Sequence, residues 1–433
     1  MIEAAKAFNA SSRVSLALSE HRNLRFVTLF LLYVAQGLPF GFIDFALPAW
    51  LTQNGASAAA IGGVLAMIIL PWTFKLVYGF IMDRYAFLAM GRRRPWIIVG
   101  QFGLVAALMA MALANPGVQQ IGLIAAIAFA MGLASAFQDV AVDGLAVDIL
   151  PTDEIERVNG YMFGGQAIGV AAGAAVSGYL ISYHGLPAAA LTLAAIIAAI
   201  LMLVLAVRER PDERLLPWTK GAASQRNLDL HLGAFWPIIR NLYTAMFTRH
   251  TLILIPAFLA ASAAWGIFLG LAPLFATNIL GWEKATYSGW AGQANLAAGL
   301  VCVFIFGAAA SHWGARRLFI GCALLTSACA AAMVALQDYW TNSAVFISAI
   351  FVFTTLTFLR SVTGGALAMR LCTPAVAATQ FAVFMAILNI GRAIASASLG
   401  WLDSLGGIPA MFTAMAVCAF ATAAFAVAAK VGR

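Results

Sequence analysis

Twelve stretches of mostly apolar residues run through this chain, and each is as long as the roughly 20 residues an α-helix needs to cross a bilayer's hydrocarbon core. Lipid offers the backbone no hydrogen-bond partners, so such stretches fold as helices whose polar groups are satisfied internally. The spans are expected at Leu24–Leu51, Ala58–Met82, Trp96–Ala114, Gln119–Leu150, Val158–Tyr183 and Pro187–Val207, and then, after a polar stretch, at Thr251–Leu280, Ala285–Ala310, Leu318–Leu336, Ser343–Arg370, Val376–Asp403 and Ile408–Lys430. The first run is too long for the apolar region of a signal peptide and is expected to remain as a span.

Composition excludes the main alternatives. With 63% hydrophobic residues, 10% charged residues and a mean hydropathy of +0.92, the chain lacks the polar surface of a soluble enzyme. The net charge of +8 would suggest nucleic acid in a soluble protein, but here it reports orientation. Lys6, Arg13, Arg22 and Arg25 precede or open the first span, Arg84 and Arg92 to Arg94 follow the second, and Arg208 to Arg249 carry seven more basic residues. Arg157, Arg316, Arg317, Arg370, Lys430 and Arg433 fall on the same side, against Lys284 alone on the other. The termini and the central loop are therefore expected in the cytoplasm. Cys302, Cys322, Cys329, Cys372 and Cys418 sit in or beside apolar runs without CxxC spacing and are read as packing residues. No metal or cofactor site is expected: HExxH, a nucleophile elbow and GxxxxGK[ST] are missing, and the five histidines fall in tails or loops.

The organisation expected is an N-terminal tail over 1–23, a six-helix bundle over 24–207, a linker over 208–250 and a second six-helix bundle over 251–430. In the linker Leu230, Leu232, Phe235, Ile238, Ile239 and Leu242 recur at helical spacing, as in a helix lying along the membrane surface. A weak internal repeat supports duplication: Gly79 to Arg84 leading to Gly91–Arg94 has a degenerate counterpart in Gly307 to His312 leading to Gly314–Arg317.

Charged side chains within spans are costly, by about 2.5 to 3.5 kcal/mol on insertion scales, and are expected to face a cavity or a partner. Asp44, Lys75, Asp139, Asp143, Arg360 and Arg392 are those residues. Asp139 and Asp143 share one face of the fourth span with Ser135, and neighbouring carboxylates hinder each other's ionisation, so Asp139 is read as the proton carrier with Asp143 and Asp44 as rivals. The competing reading is a permanent pair with Lys75 or the Arg84 cluster. Tyr33, Gln36, Phe40 and Asp44 form a stripe on the first span that suits a cavity wall, with bending at Gly37 and Pro39. In the second half Arg360, and Arg392 with Asn389, offer guanidinium forks to an anion, unless they serve as structural bonds; Trp265 can stack on a ligand or simply pack.

The segment Gly79, Asp83, Arg84, Gly91 and Arg92 to Arg94 resembles the motif between spans two and three of the major facilitator superfamily. More narrowly, Phe74-Lys75, Asp83-Arg84-Tyr85, Gln138-Asp139 to Asp143-Gly144, Ala378 to Ala382 and Gly391-Arg392 resemble the AmpG muropeptide permease and acetyl-CoA transporter group. The resemblance implies twelve helices in two bundles (the major facilitator fold), alternating access, and proton-linked import of anhydromuropeptides across the bacterial inner membrane. It also implies a gating role for Asp83, Arg84 and Arg92, with Lys75 ahead of them. Glycines 160, 164, 165, 169, 173 and 178 mark a close-packing fifth span without the proline pattern of antiporters, which points to symport. Its implied partners are a small anionic substrate, protons and lipid, with no nucleic acid, and the chain is read as a monomer. A siderophore or a CoA derivative is the alternative cargo; a receptor or an embedded enzyme is the alternative class.

Overall fold

The computed structural model describes residues 16–429; Lys6, Arg13, Lys430 and Arg433 lie outside the described residues, as does the side chain of Lys284. Twelve helices are long and apolar enough to span a membrane: Arg22–Gln53, Ala59–Arg84, Arg94–Ala114, Val118–Ile149, Ile155–His184, Leu186–Ala206, Arg249–Asn278, Thr286–Trp313, Ala315–Ala335, Ser343–Leu371, Pro374–Ala397 and Leu399–Ala428. They match the expected spans within a few residues, the last two included, since the turn between them falls at Gly406 and Gly407, between the expected ends Asp403 and Ile408. The eleventh helix passes almost without a break through Ser398 into Leu399–Leu405, and the chain turns at Gly406 and Gly407, whose φ of 167° and 65° depart from the helix. His184, His250 and His312 belong to terminal turns of helices and not to loops.

Local sequence explains where the spans deform. Pro39 has no N–H to donate, and the helix relaxes shortly afterwards into a π turn over Phe42–Ala46 that carries Asp44. A second π turn covers Cys302–Phe306 in the eighth span. Spans one and five cross so closely that a Cβ on Gly41 would lie 2.2 Å from the Val170 carbonyl oxygen. Spans five and eight meet likewise, a Cβ on Gly160 falling 2.7 Å from the Gly307 Cα. Of the fifth-span glycines, Gly178 has open space beside it and takes no part in close packing.

The linker is a built structure. A β-bridge joins Ala17 to Arg208, with the Leu18 amide donating to the Arg208 carbonyl at 2.8 Å. The buried Glu209 carboxylate accepts the backbone amides of Arg92 (2.9 Å), Arg93 (2.6 Å) and Arg94 (2.5 Å), so it caps the third span, where unpaired amides and the helix dipole favour an anion. Arg94 in turn donates to the carbonyls of Val204 and Leu205, both at 2.9 Å. The amphipathic helix runs over Phe235–Met246, so Leu230 and Leu232 lie on a separate segment. Ile238 is its buried anchor, and Trp236 and Tyr243 are exposed.

The two halves are sealed at the face that carries the linker. All hydrogen bonds joining 16–207 to 251–429 among the described residues lie there, from Arg92, Asp83, Glu156, Thr152 and Asn159 to residues 369–379. Apolar packing agrees: one buried cluster runs from the first half through to Phe258, Phe319, Phe381 and Phe384, while the far end of the second half keeps a cluster of its own.

Candidate functional site

Two groups of charges occupy the sealed face and the membrane interior. At the face, Asp83 at the end of the second span and Asp148 at the end of the fourth hold Arg92 and Arg93 between them, all four fully buried. Arg93 bonds Asp83 at 2.5 Å and Asp148 at 3.1 Å; Arg92 bonds Asp148 at 3.2 Å and reaches the carbonyls of Pro374 and Ala375 at 3.0 Å. The other Asp83 oxygen accepts both the amide (2.9 Å) and the hydroxyl (2.7 Å) of Thr379, in the first turn of the eleventh span. A carboxylate from one half thus sits on a helix N-terminus of the other, where the macrodipole favours it. Arg370 adds a bond to Glu156 at 2.6 Å.

Arg84 stands outside this network. Its guanidinium lies over the rings of Tyr85 at 5.0 Å and Phe235 at 5.9 Å, which ties the end of the second span to the amphipathic helix. Lys75 is likewise absent from the face. It is nine residues before Arg84, roughly 14 Å deeper along the helix, where it forms an ion pair with Asp139 and lies 4.4 Å from the Trp72 ring centroid.

Around that pair the first half assembles a polar chain. Asp139 also accepts the Gln36 amide, whose oxygen accepts from Gln166 at 3.0 Å. One turn on, Asp143 accepts the Tyr33 hydroxyl at 2.5 Å. Of the expected stripe on the first span, Tyr33 and Gln36 face the fourth, while Phe40 packs on Trp72 of the second; the pairing of Asp139 with Lys75 is the arrangement realised, and neither aspartate touches the Arg84 cluster.

The second half supplies the opposite charge without partners. Arg360 is 5% exposed, forms no hydrogen bond or ion pair through its side chain among the described residues, and has its Nη1 buried. Arg392 reaches only Asn389, at 3.4 Å. Neither is the structural bond to a carboxylate that was the competing reading. Trp265 lies flat against Phe268, with ring centroids 5.7 Å apart, so one of its faces is already occupied. Asp44 is exposed on its π turn.

Sequence reasoning missed Asp148, Thr379 and Glu209. Asp148 was within reach, since it continues the acidic run of the fourth span five residues beyond Asp143. Thr379 lies within the Ala378–Ala382 segment that carries the resemblance, but its partner Asp83 is 296 positions away, and Glu209, more than a hundred positions from the amides it accepts, carries no local signal.

Two helical halves, sealed at one face around buried charges, have the architecture of a membrane transporter. The chain belongs to the Major Facilitator Superfamily, whose sequence profile matches residues 29–396. It is 34% identical over 130 residues to the anhydromuropeptide permease of Escherichia coli K12, a match covering 30% of this chain and 26% of that protein. It is 30% identical over 130 residues to "putative transporter AmpG 4" of Rickettsia felis, covering 29% and 31%. The matched segments thus span only about a quarter to a third of these relatives. Among solved structures, the human organic anion transporter MFSD10 superposes with a TM-score of 0.70 at 14% identity, covering 93% of this chain and 99% of that one. The major facilitator transporter FucP in its outward conformation gives 0.69 at 14% identity over 94% and 98%.

Proposed function

We propose that the chain is a proton-coupled symporter that imports anhydromuropeptides across the bacterial inner membrane, with its linker face in the cytoplasm. The observation that carries this reading is the division of buried charge: a linked carboxylate, lysine and tyrosine set in the first half, and counter-ion-free guanidiniums in the second. A carboxylate held by a lysine can exchange its ionic partner for a proton, and guanidinium forks suit the carboxylates of a muropeptide. In this reading Asp139 and Asp143 carry the proton, Arg360, Arg392, Asn389, Gln36 and Tyr33 meet the substrate, and Asp83 with Arg92 and Arg93 latches the cytoplasmic gate. The likeness to the anhydromuropeptide permease supports the choice of cargo.

The test is uptake of labelled anhydromuropeptide into proteoliposomes, with and without an inward proton gradient. Gradient-driven uptake in wild type, lost in Asp139→Asn and in Arg392→Ala, is the expected result. Folded wild-type protein that takes up none sinks this cargo and directs the search to other organic anions, such as siderophores or CoA derivatives.

A further inference from the structure

The linker buries two carboxylates four residues apart, Glu209 and Glu213, both 0% exposed. Their surroundings differ. Glu209 accepts the three amides that open the third span. Glu213 accepts only from neutral donors, the Arg210 backbone amide at 3.0 Å and the Asn227 side-chain amide at 2.7 Å, and its carboxylate forms no ion pair with a described residue. The charged groups around it are Glu209, Arg208 and Arg210 on its own segment and Arg94 from the third span. The helix Gln225–Leu230 turns the neutral Asn227 towards it and leaves Arg226 and Asp229 exposed, as is Asp212. A carboxylate removed from water, without an ion-pair partner and close to a second carboxylate, keeps its proton to higher pH than usual. Burial first, and then Glu209, raise this acid to about 7.

Arg210 connects Glu213 to the charges of the sealed face. Its guanidinium donates to the Asn227 oxygen at 2.8 Å and to the Asp148 carbonyl at 2.9 Å, and lies 3.9 Å from Glu209. The Asp148 carboxylate in turn holds Arg92 and Arg93, and Arg92 reaches the second half at Pro374 and Ala375. Both short bonds of Arg210 therefore go to neutral oxygens. A guanidinium favours a carboxylate over a neutral oxygen, because both partners are then charged. Asn227 already bridges the guanidinium to Glu213, so an ionised Glu213 competes with the Asp148 carbonyl for Arg210.

Resting on the reading above that this face is the cytoplasmic gate, we propose that Glu213 is a regulatory proton site in the linker. With the proton bound, Arg210 stays on Asn227 and Asp148 and the gate is held shut. When the proton leaves, the guanidinium moves to Glu213 and the gate loosens. An importer that carries protons inward is thereby slowed as the cytoplasm acidifies, through a group separate from Asp139 and Asp143.

The test is maleimide labelling of Cys372 in inverted vesicles, without substrate or gradient. The rate for wild type is divided by that for Glu213→Gln at each pH, so that the ionisation of the thiol itself cancels. The ratio is expected to be near one at about pH 6 and to rise at least about threefold by about pH 8. Arg210→Gln, which lacks the clamp, should label fast at both, and Asp139→Asn should keep the wild-type rise. A second measurement needs no variant: amide hydrogen exchange over 208–214 in wild type, corrected for the intrinsic rate, should speed up over the same interval. A flat ratio, a rise that disappears in Asp139→Asn, or unchanged protection of 208–214 overturns the proposal. Anhydromuropeptide uptake by the same preparation separates the two ideas: uptake without the pH step removes only the proton switch, and the step without uptake removes only the cargo.

Discussion

Lys75 and Asp139 show how much a single buried charge depends on its neighbour. Removing one partner of such a pair typically costs about 3 to 5 kcal/mol, because the other charge is left buried, whereas replacing both is often tolerated. Lys75→Met is therefore expected to lower the thermal unfolding midpoint in detergent, and Lys75→Met with Asp139→Asn to recover most of it without restoring proton-driven uptake. A double variant as unstable as the single one would show that the pair's environment, and not its charge, sets the stability. In the linker, Glu213 provides a pH-dependent case. Burial first, and then the nearby Glu209 carboxylate, push its acid up from 4.5 to about 7, against the opposing pull of Arg210 and Asn227. An acid whose folded value is raised contributes its stability at low pH, and that contribution is lost as pH rises from the unfolded value through about 7. Thermal midpoints should fall between about pH 5 and about pH 8 in wild type, reflecting a loss of stability on the order of 3 kcal/mol at most, and stay flatter in Glu213→Gln. Asp139 and Arg360 were legible as functional candidates because any charge within an apolar run stands out, and Lys75 was already a named alternative partner for Asp139; the Gln36 contact and the lack of a partner at Arg360 were not legible, because helical periodicity does not say which span lies opposite.

At the scale of elements, the link from Asp83 to the first turn of the eleventh span is the contact most exposed to test. Cys372 lies beside this contact, two residues before Pro374, whose carbonyl accepts from Arg92 at 3.0 Å. Asp83→Asn with Thr379→Val should release the helix N-terminus and speed maleimide labelling of Cys372 in inverted vesicles several-fold, with Cys372→Ser as the blank. An unchanged labelling rate would mean that the remaining Arg92 and Arg370 bonds hold the gate alone. The spans themselves were readable, since a run of twenty apolar residues has few other fates. Their deformations were readable in part: bending near Pro39 was expected and a π turn follows it at Phe42–Ala46, and the turn expected between Asp403 and Ile408 falls at Gly406 and Gly407, but the π turn at Cys302–Phe306 has no proline to announce it.

For the whole molecule, the asymmetry of basic residues predicts which face meets the cytoplasm. Trypsin should cut the linker near Lys220 or Arg226 in inverted vesicles and spare it in intact spheroplasts; the reverse pattern would invert the assigned direction of every gate described above. The duplicated architecture was visible in the span count and the repeated motif, but the sealing of one face was not, since it rests on bonds between residues up to 296 positions apart.

The glycine seam between the fifth and eighth spans gives this asymmetry a mechanical meaning. Where Gly160 meets Gly307 the two spans pack backbone to backbone, and the inter-half bond beside them runs from Asn159 to the Met369 sulfur on another span. In the transport cycle proposed above, a joint of this kind would roll with few bonds to break, while the buried charge network at one end would set which way it has rolled. In that proposed cycle it would serve as a bearing, and a bulky side chain placed in it is expected to stall transport by a protein that still binds its cargo.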